Sequence, residues 1–390
     1  MKKKKILLIG PIGDFGGREL EVGFIAKALN EEFDVKICST VYFTKESQVF
    51  DFVTKKQLFS LANTVINKNY LIKLVSLIAY FRFGCRYSIS YFFNNKINKK
   101  YFEVTNKTNR IIEELVVEND LIIICAQISS AYMNKVVRYA FVKNIPVIFR
   151  TTGTIVDLGA SLLKSKFSWL EKVTCFIHHS ETNANKLTLL NKHDYEIIDQ
   201  CAYNEKELLA CLNKENKISN FFVLSRLSKE KQIDVVIKAF SNIGQPTDYL
   251  HIYGTGPELI FLKELAKNNS NVIFYGHISH AKSHELFYKY DCLIISSSEE
   301  AGPLTGVEAM AAGMSLISTK VGAMPERLID YDFWYDGSQE QLEVKMLKFK
   351  GLPISEVNRI SKTVKQRYVE EYSIEAIKNK YRKLVGKTIF

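Results

Sequence analysis

The sequence lacks the segments that mark secreted and membrane-spanning proteins. Its seven cysteines include no C-x-x-C pair and lie mostly in apolar runs, which favours buried thiols in a reducing compartment. The lysines at positions 2–5 precede only four apolar residues, too few for a signal peptide. The longest apolar-rich stretch, residues 71–83, is interrupted by Lys73 and Arg82 and falls short of the roughly 20 residues that span a bilayer. We therefore expect a cytoplasmic protein.

A dinucleotide site and a metal site are also missing from the sequence. The glycine-rich stretch GPIGDFGG, residues 10–17, follows a predicted strand, but its glycines do not have the G-x-G-x-x-G spacing. The second predicted strand ends at residue 39 without the acid that would hold a ribose. His277, His280 and His284 have no acid or cysteine nearby in the sequence that completes a zinc set. These absences exclude an NAD-dependent enzyme and predict no metal.

Positive charge is concentrated in one segment of the chain. The net charge is +11, and residues 55–110 hold eleven Lys or Arg against one acid, Glu103, together with many aromatic residues. This mixture favours a surface that sits on anionic lipid. Single-stranded nucleic acid, or a solvated helical face over a local core, would give the same pattern. We expect an anionic membrane surface, with the protein peripheral on the inner face of the cell membrane, and no nucleic-acid partner.

Strand-like and helical patterns alternate in two series, which predicts α/β architecture with parallel sheets. With 390 residues, the chain is long enough for two domains. We predict an N-terminal Rossmann-like domain over 1–202 and a C-terminal one over 216–365, separated by a polar linker at 214–220. A helix at about 370–390 is expected to pack back on the first domain.

The stretch SSSEEAGPLTGVEAMAAGMSLISTKVGAMPE, residues 296–326, carries the clearest chemistry. Glu300 lies on a predicted loop and Glu308 on the helix that follows, so both can face one ligand. Pro303 suits the first helical position. The N–H groups of residues 304–306 would then be free to bind a phosphate at the helix N-terminus.

Two further loops of the predicted C-terminal domain follow predicted strands. Arg226 and Lys231 lie on the first, where two cations suit a diphosphate because charged hydrogen bonds are strong. Gly254 and Gly256 lie on the second, where glycine allows the backbone to approach a nucleotide.

Residues 221–326 resemble the donor-binding domain of the family four retaining glycosyltransferases (glycosyl transferases group 1). That resemblance implies the GT-B fold, in which two Rossmann-like domains face each other across a cleft. The motifs that carry it, in chain order, are R-L-x-x-E-K (226–231), G-x-G-P (254–257), the two glutamates spaced by eight, E-A-M-A-A-G (308–313) and V-G-x-x-P-E (321–326). The first half resembles the family less strongly, chiefly through GG-R-E at 16–19.

The resemblance also implies a role for each matching residue. Arg226 and Lys231 would neutralise the diphosphate, and Glu300 would face the donor sugar, so these three are the predicted catalytic residues. The predicted donor-binding residues are Glu308, on the ribose, and Gly16, Gly17, Gly254, Gly256, Gly302, Pro303, Leu304 and Thr305. Candidate acceptor-side residues are Arg150, Thr151, Thr152 and Gly153. Many members have a histidine near the donor sugar where this chain has Thr152, so that histidine's role is not carried over.

The function implied is a retaining hexosyltransferase without metal or other cofactor. It would move a sugar from a UDP- or GDP-linked donor to a glycan acceptor, expected to be lipid-linked. The expected pathway is bacterial surface polysaccharide synthesis, making capsule, O-antigen or exopolysaccharide. Two alternatives stay open: a sugar-nucleotide epimerase of the same fold, and a non-catalytic protein that binds sugar nucleotides or nucleic acid.

Overall fold

The computed structural model describes residues 3–84, 91–153, 167–187, 193–212, 215 and 219–389. The chain forms two compact units. The first comprises the described residues within Met1–His178, Ala184–Ile198 and Lys378–Phe390, and the second those within His179–Asn183 and Asp199–Ile377.

The first unit is built on a seven-stranded sheet. Its strands are β1 Lys5–Gly10, β2 Asp34–Ser39, β3 Leu58–Ser60, β4 Leu121–Ala126, β5 Val147–Thr151, β6 Cys175–His178 and β7 Tyr195–Ile197. All pairs are parallel, in the order β3-β2-β1-β4-β5-β6-β7. Strand β4, LIIICA, is buried at every position because helices cover both faces of such a sheet.

Up to residue 142, the described part of the chain contains six helices between these strands: α1 Gly17–Leu29, α2 Leu61–Asn67, α3 Tyr70–Phe83, α4 Lys96–Tyr101, α5 Val104–Val117 and α6 Met133–Val142. Helix α5 shows why such segments are helical. Its buried residues Val104, Thr108, Ile111 and Ile112 recur every three or four positions and so form one face. Within its described residues, the basic segment 55–110 therefore folds as β3, α2, α3, α4 and the start of α5.

The second unit contains a six-stranded sheet. Its strands are β8 Asn220–Leu224, β9 Tyr249–Tyr253, β10 Val272–Gly276, β11 Cys292–Ile295, β12 Ser315–Thr319 and β13 Trp334–Tyr335. They are parallel, in the order β10-β9-β8-β11-β12-β13. In both sheets the strand order reverses beside the first strand, which is the doubly wound arrangement that binds ligands at its carboxyl edge.

The remaining helices are α7 Glu181–Asn185, α8 Glu205–Leu209, α9 Ile233–Ile243, α10 Leu259–Leu265, α11 His280–Lys289, α12 Leu304–Ala312, α13 Met324–Arg327, α14 Gln339–Lys350, α15 Ile354–Arg367 and α16 Ile374–Ile389. Helix α12 ends at Gly313, whose φ of 65° is the left-handed conformation that terminates many helices. Helix α14 begins after Ser338, whose hydroxyl accepts the Gln341 N–H.

The last helix, α16, contributes to the first unit from Lys378 onward. The Arg382 Nε donates to the Ala28 carbonyl at 2.9 Å, and Lys378 pairs with Glu31 at 3.2 Å. The end of the chain is thereby fixed to α1.

The α/β architecture expected from the alternating patterns is confirmed. Three strands were not predicted: β3, β7 and β13, of two or three residues each. Each lies at the edge of its sheet, and a strand this short has no detectable apolar alternation. The short strand β7 pairs with β6 and extends the first sheet beyond it.

The cysteines of the described residues are all buried: Cys38, Cys125, Cys175, Cys201, Cys211 and Cys292. Burial raises the pKa of Cys38 and Cys125 well above the ordinary thiol range. Inert, packed thiols are what the sequence predicts. Cys85 lies outside the described residues.

Candidate active site

The predicted residues of the second unit gather at the carboxyl edge of its sheet. Arg226 and Lys231 follow β8, and Glu300 follows β11. These are the two strands between which the strand order reverses. Loops that follow strands at such a point diverge to opposite faces of the sheet and leave a crevice for a ligand.

Lys231 and Glu300 form an ion pair through Nζ and Oε1. The two side chains are 16% and 22% exposed, so the pair is accessible from solvent. The loops that carry them are also joined: the Ser296 hydroxyl donates to the Lys231 carbonyl at 2.6 Å, and the Ser298 N–H donates to the Glu230 carbonyl at 2.8 Å. The structure thus brings together two of the three predicted catalytic residues.

The third, Arg226, is exposed on the same loop. The neighbouring Glu230 reports the electrostatics of this loop. Its pKa is held below the usual range, first by the hydrogen bond from the Ser228 hydroxyl and further by the charges of Lys231 and Arg226. Lys231 and Arg226 thus both act on one anionic group of this loop, although the Ser228 hydrogen bond lowers its pKa more.

Glu308 lies in the first half of α12 and is 2% exposed. Its Oε1 is 3.3 Å from Nε2 of His280, the first residue of α11. His280 therefore faces a carboxylate, as expected for a histidine on the nucleotide side. Within the described residues, no group of three or more His, Cys, Asp or Glu side chains could hold a metal ion.

The N-terminus of α12 differs from the prediction by one residue. Pro303 precedes the helix, which begins at Leu304. The Gly306 N–H, predicted to be free, donates to the Pro303 carbonyl at 3.1 Å, so that prediction is wrong. Among the described residues, the Leu304 and Thr305 N–H groups have no acceptor. They are the helix-terminal donors that could meet a phosphate.

Close packing explains two glycines near this helix, against a side chain at Gly302 and against backbone at Gly322. A side chain at Gly302 would come within 2.9 Å of the Arg327 guanidinium. Gly322 of the V-G-x-x-P-E motif has a φ of 54°, and a Cβ there would lie 2.5 Å from the Ala301 carbonyl oxygen. This second loop therefore packs directly under the loop that carries Glu300.

Three residues that the motifs did not predict hold the same loop in place. Arg327 is fully buried, pairs with both Asp199 carboxylate oxygens at 2.7 Å and donates to the Pro303 carbonyl at 2.5 Å. The Asn183 amide donates to the Ala301 carbonyl at 2.8 Å. Asp199 and Asn183 lie more than a hundred residues before their partners, so no local pattern reveals them. The sequence marked Arg327 only as a charged residue directly after the V-G-x-x-P-E motif.

Gly254 and Gly256 contact the loop that bears Arg226. A Cβ at Gly254 would lie 1.8 Å from the Ser225 carbonyl oxygen, and one at Gly256 2.2 Å from the Leu227 carbonyl oxygen. The Leu227 N–H donates to the Thr255 carbonyl at 3.0 Å. These glycines are required by close backbone packing, and their contact with a nucleotide stays a prediction.

In the first unit, the glycine-rich loop is closed by its own side chains. The Glu19 carboxylate accepts the Gly13 N–H, and the Gln48 side chain accepts the Gly16 N–H, both at 2.8 Å. Gly16 has a φ of 142° and directly precedes α1, which begins at Gly17. Contact of Gly16 and Gly17 with donor phosphates stays a prediction, and the Gly16 N–H is already bonded.

The candidate acceptor-side residues follow β5 but differ in environment. Arg150 is fully buried, forms an ion pair with Glu21 and donates to the Ile198 carbonyl at 2.7 Å, which gives it a structural role. Thr151 is buried and contacts His178. Gly153, with a φ of 72°, packs near Gln127.

Thr152 is joined to the glycine-rich loop through Arg18. The Arg18 Nε donates to the Thr152 hydroxyl at 3.0 Å, and its Nη1 donates to the Pro11 carbonyl at 3.0 Å. Arg18 lies within the GG-R-E motif but was not predicted to have a role. Arg18 is partly exposed.

Part of the chain, which includes the candidate site, matches a known family model. Residues 205–367 match the family model of glycosyl transferases group 1, so the resemblance carried by the motifs is confirmed. The chain is 28% identical over 219 residues to N-acetyl-alpha-D-glucosaminyl L-malate synthase of Bacillus anthracis, covering 53% of this chain and 57% of that protein. It is 22% identical over 263 residues to the O-antigen biosynthesis glycosyltransferase WbnH of Escherichia coli, covering 64% and 73%.

The match to the first curated relatives is partial, spanning between 27% and 57% of their lengths. Among solved structures, the pneumococcal O-GlcNAc transferase GtfA, in complex with UDP and GlcNAc, superposes with a TM-score of 0.70 at 14% identity, with both chains fully covered. At that identity the likeness concerns the fold alone, and it confirms the predicted fold class.

Proposed function

We propose that the protein transfers a sugar, with retention of configuration, from a UDP- or GDP-linked donor to a glycan acceptor. The match of residues 205–367 to the family model of glycosyl transferases group 1 supports this proposal. One observation carries the proposal. Two neighbouring strands, β8 and β11, bring the groups together. Arg226 and Lys231 follow β8, whereas Glu300 and the N-terminus of α12 follow β11.

The chemistry of such a transfer suits these groups. Breaking the bond between the anomeric carbon and the phosphate oxygen leaves negative charge on the diphosphate. Arg226, Lys231 and the N-terminus of α12 stabilise that charge more in the transition state than in the ground state, which lowers the barrier. The acceptor oxygen bonds to the anomeric carbon on the face that the phosphate leaves, and the departing phosphate accepts the proton of that hydroxyl. Configuration is thereby retained without a protein nucleophile.

The two glutamates have separate tasks in this proposal. Glu308, buried beside His280, accepts hydrogen bonds from the ribose hydroxyls. Glu300 orients Lys231 through their ion pair and faces the donor sugar. With two cations and a helix N-terminus at the phosphates, the reaction requires no metal ion.

We further propose that the acceptor is lipid-linked and belongs to a bacterial surface polysaccharide. The likeness to an O-antigen enzyme supports the pathway. The exposed basic and aromatic residues of segment 55–110 support a location at an anionic membrane surface, on its cytoplasmic face. Among the described residues, no helix has the length and apolar character to cross a membrane.

A panel of UDP- and GDP-sugars tests the proposal. A donor that binds the folded protein raises its melting temperature in proportion to its affinity, and the best ligand should then be hydrolysed slowly without an acceptor and consumed faster with one. Conversion of the donor to its epimer without acceptor dependence would identify an epimerase instead. Absence of any stabilisation, turnover or nucleotide binding would refute the assignment.

A further inference from the structure

Helix α3 of the first unit is buried on one side only. Ile72, Ser76 and Ala79 face inward, where Ile72 packs in a small core with Ile66, Phe92 and Val104. This core is separate from the main core of the unit. Helix α3 is therefore held in place by its inner face, and the residues of its outer face are exposed.

The outer face of α3 is apolar along its whole length. Its residues, with their exposed fractions, are Tyr70 (74%), Leu71 (66%), Leu74 (42%), Leu77 (47%), Ile78 (68%) and Phe81 (84%). Positions 70, 74, 77, 78 and 81 recur every three or four residues and so form one stripe. A helix with a solvent-facing outer side would carry polar residues there, so this stripe requires a partner.

Cations border the apolar stripe. Lys73 and Arg82 lie on either side of it at helical spacing. Helix α4 adds Lys96 and Lys100, which are exposed, beside the exposed Ile97 (79%). The one acid between residues 55 and 110 is Glu103. An apolar stripe with a cationic border fits a partner that offers apolar groups to the stripe and negative charges to the cations beside it.

Length and charge separate the possible partners. At 1.5 Å per residue, the 14 residues of α3 extend about 21 Å, which is less than the roughly 30 Å of a bilayer's hydrocarbon core. The helix can lie in a membrane surface and cannot cross it. A second copy of the chain, paired through the same face by a two-fold axis, would bring the cationic borders against each other. Anionic lipid has the opposite charge and avoids that repulsion.

We propose that α3 is an in-plane membrane anchor. Its outer stripe enters the boundary between headgroups and acyl chains, while Lys73, Arg82 and the lysines of α4 bind lipid phosphates. This proposal rests on the membrane location given under the proposed function and names the helix responsible for it. The anchor would bring the first unit to the surface where a lipid-linked acceptor is presented.

Vesicle flotation with the full chain tests the anchor. The variant Ile78→Asn/Phe81→Asn removes two apolar side chains from the stripe. Its matched control, Ile260→Asn/Phe261→Asn, removes the same pair from exposed positions of α10, where the side chains are 84% and 51% exposed. On phosphatidylcholine vesicles containing phosphatidylglycerol, we expect the α3 variant to partition roughly tenfold or more weakly than the parent chain. The control should partition like the parent.

Three results would overturn the proposal. They are equal partitioning of the α3 variant and the parent, an equal loss in the control variant, and no preference of the parent for vesicles that contain phosphatidylglycerol. Self-association in ultracentrifugation that the α3 variant abolishes, without vesicle binding by the parent, would assign the stripe to a second copy. UDP or GDP binding by the α3 variant, measured by calorimetry, separates loss of the anchor from failure of the proposed function. Arg226, Lys231 and Glu308 lie in the other unit, so the α3 variant should bind nucleotide like the parent.

Discussion

The two units share a strand order but use charge differently near the carboxyl edges of their sheets. In the first sheet, Arg150 is completely buried and is paired with Glu21. In the second, Lys231 and Glu300 are 16% and 22% exposed, and Arg226 is exposed beside them. A buried pair holds two elements together, whereas an accessible pair can exchange partners with a ligand. The same topology thus serves packing in one unit and, we propose, phosphate chemistry in the other.

Backbone donors of the glycine-rich loop in the first unit are also occupied. In the first unit, the N–H groups of Gly13 and Gly16 are taken by Glu19 and Gln48. In the second unit, the first N–H groups of α12 have no acceptor among the described residues. A glycine-rich loop before a helix is therefore insufficient evidence for a phosphate site, because the chain's own side chains can occupy its donors.

The largest expected effect comes from removing the cation of the accessible pair. Lys231→Ala should lower kcat/KM for donor turnover by about 10²-fold or more, because it removes stabilisation of the departing diphosphate. Lys229→Ala, which removes an exposed lysine from the same turn, is the control and should stay near the parent value. Near-normal turnover by the Lys231 variant would remove the diphosphate role.

A smaller effect is expected at the buried glutamate of the second unit. Glu308→Gln should weaken UDP or GDP binding by about tenfold, since a charged acceptor for the ribose hydroxyls becomes a neutral one. Calorimetric titration measures this change, with Glu299→Gln, an exposed neighbour of Glu300, as the control. Equal affinities of the parent and the Glu308 variant would mean that Glu308 serves only to pair with His280.

The smallest effect is expected in the first unit. Glu19→Ala leaves the Gly13 N–H without its acceptor and should lower the free energy of unfolding by about 1 kcal/mol. Denaturant unfolding measures this loss. Nucleotide affinity should not change, because Glu19 closes its own loop. If the Glu19 variant unfolds at the same free energy as the parent but binds nucleotide more weakly, the glycine-rich loop is a ligand site. The two units would then not differ in the way described.

The sequence predicted those parts of the molecule that local pattern determines. Long apolar strands such as β4 and β11 are recognisable because burial on both faces demands continuous apolar residues. The motif residues Arg226, Lys231 and Glu300 were identifiable because their order along the chain is specific. The meeting of Lys231 with Glu300, 69 residues apart, depends on strand order, which no local pattern contains.

The residues that the sequence could not reveal act through distant partners. Arg327 and Asp199 are separated by 128 positions. Their ion pair forms only when α13 packs beside the first residues of the segment Asp199–Ile377. The exposed stripe on α3 was also hidden, because its apolar residues look like core until the fold shows which side faces inward. Composition gave the charge of that segment, and the structure gave its orientation.

The central claim is that the second unit binds a nucleotide diphosphate through Arg226 and Lys231. Calorimetric titration of whichever of UDP or GDP binds, compared with its nucleoside, tests it most directly. In the parent chain, the diphosphate should bind at least about tenfold more tightly than the nucleoside, because each charged hydrogen bond contributes about 1.5–3 kcal/mol. In Lys231→Ala that advantage should largely disappear while nucleoside affinity is unchanged. An undiminished advantage in the variant would contradict the account.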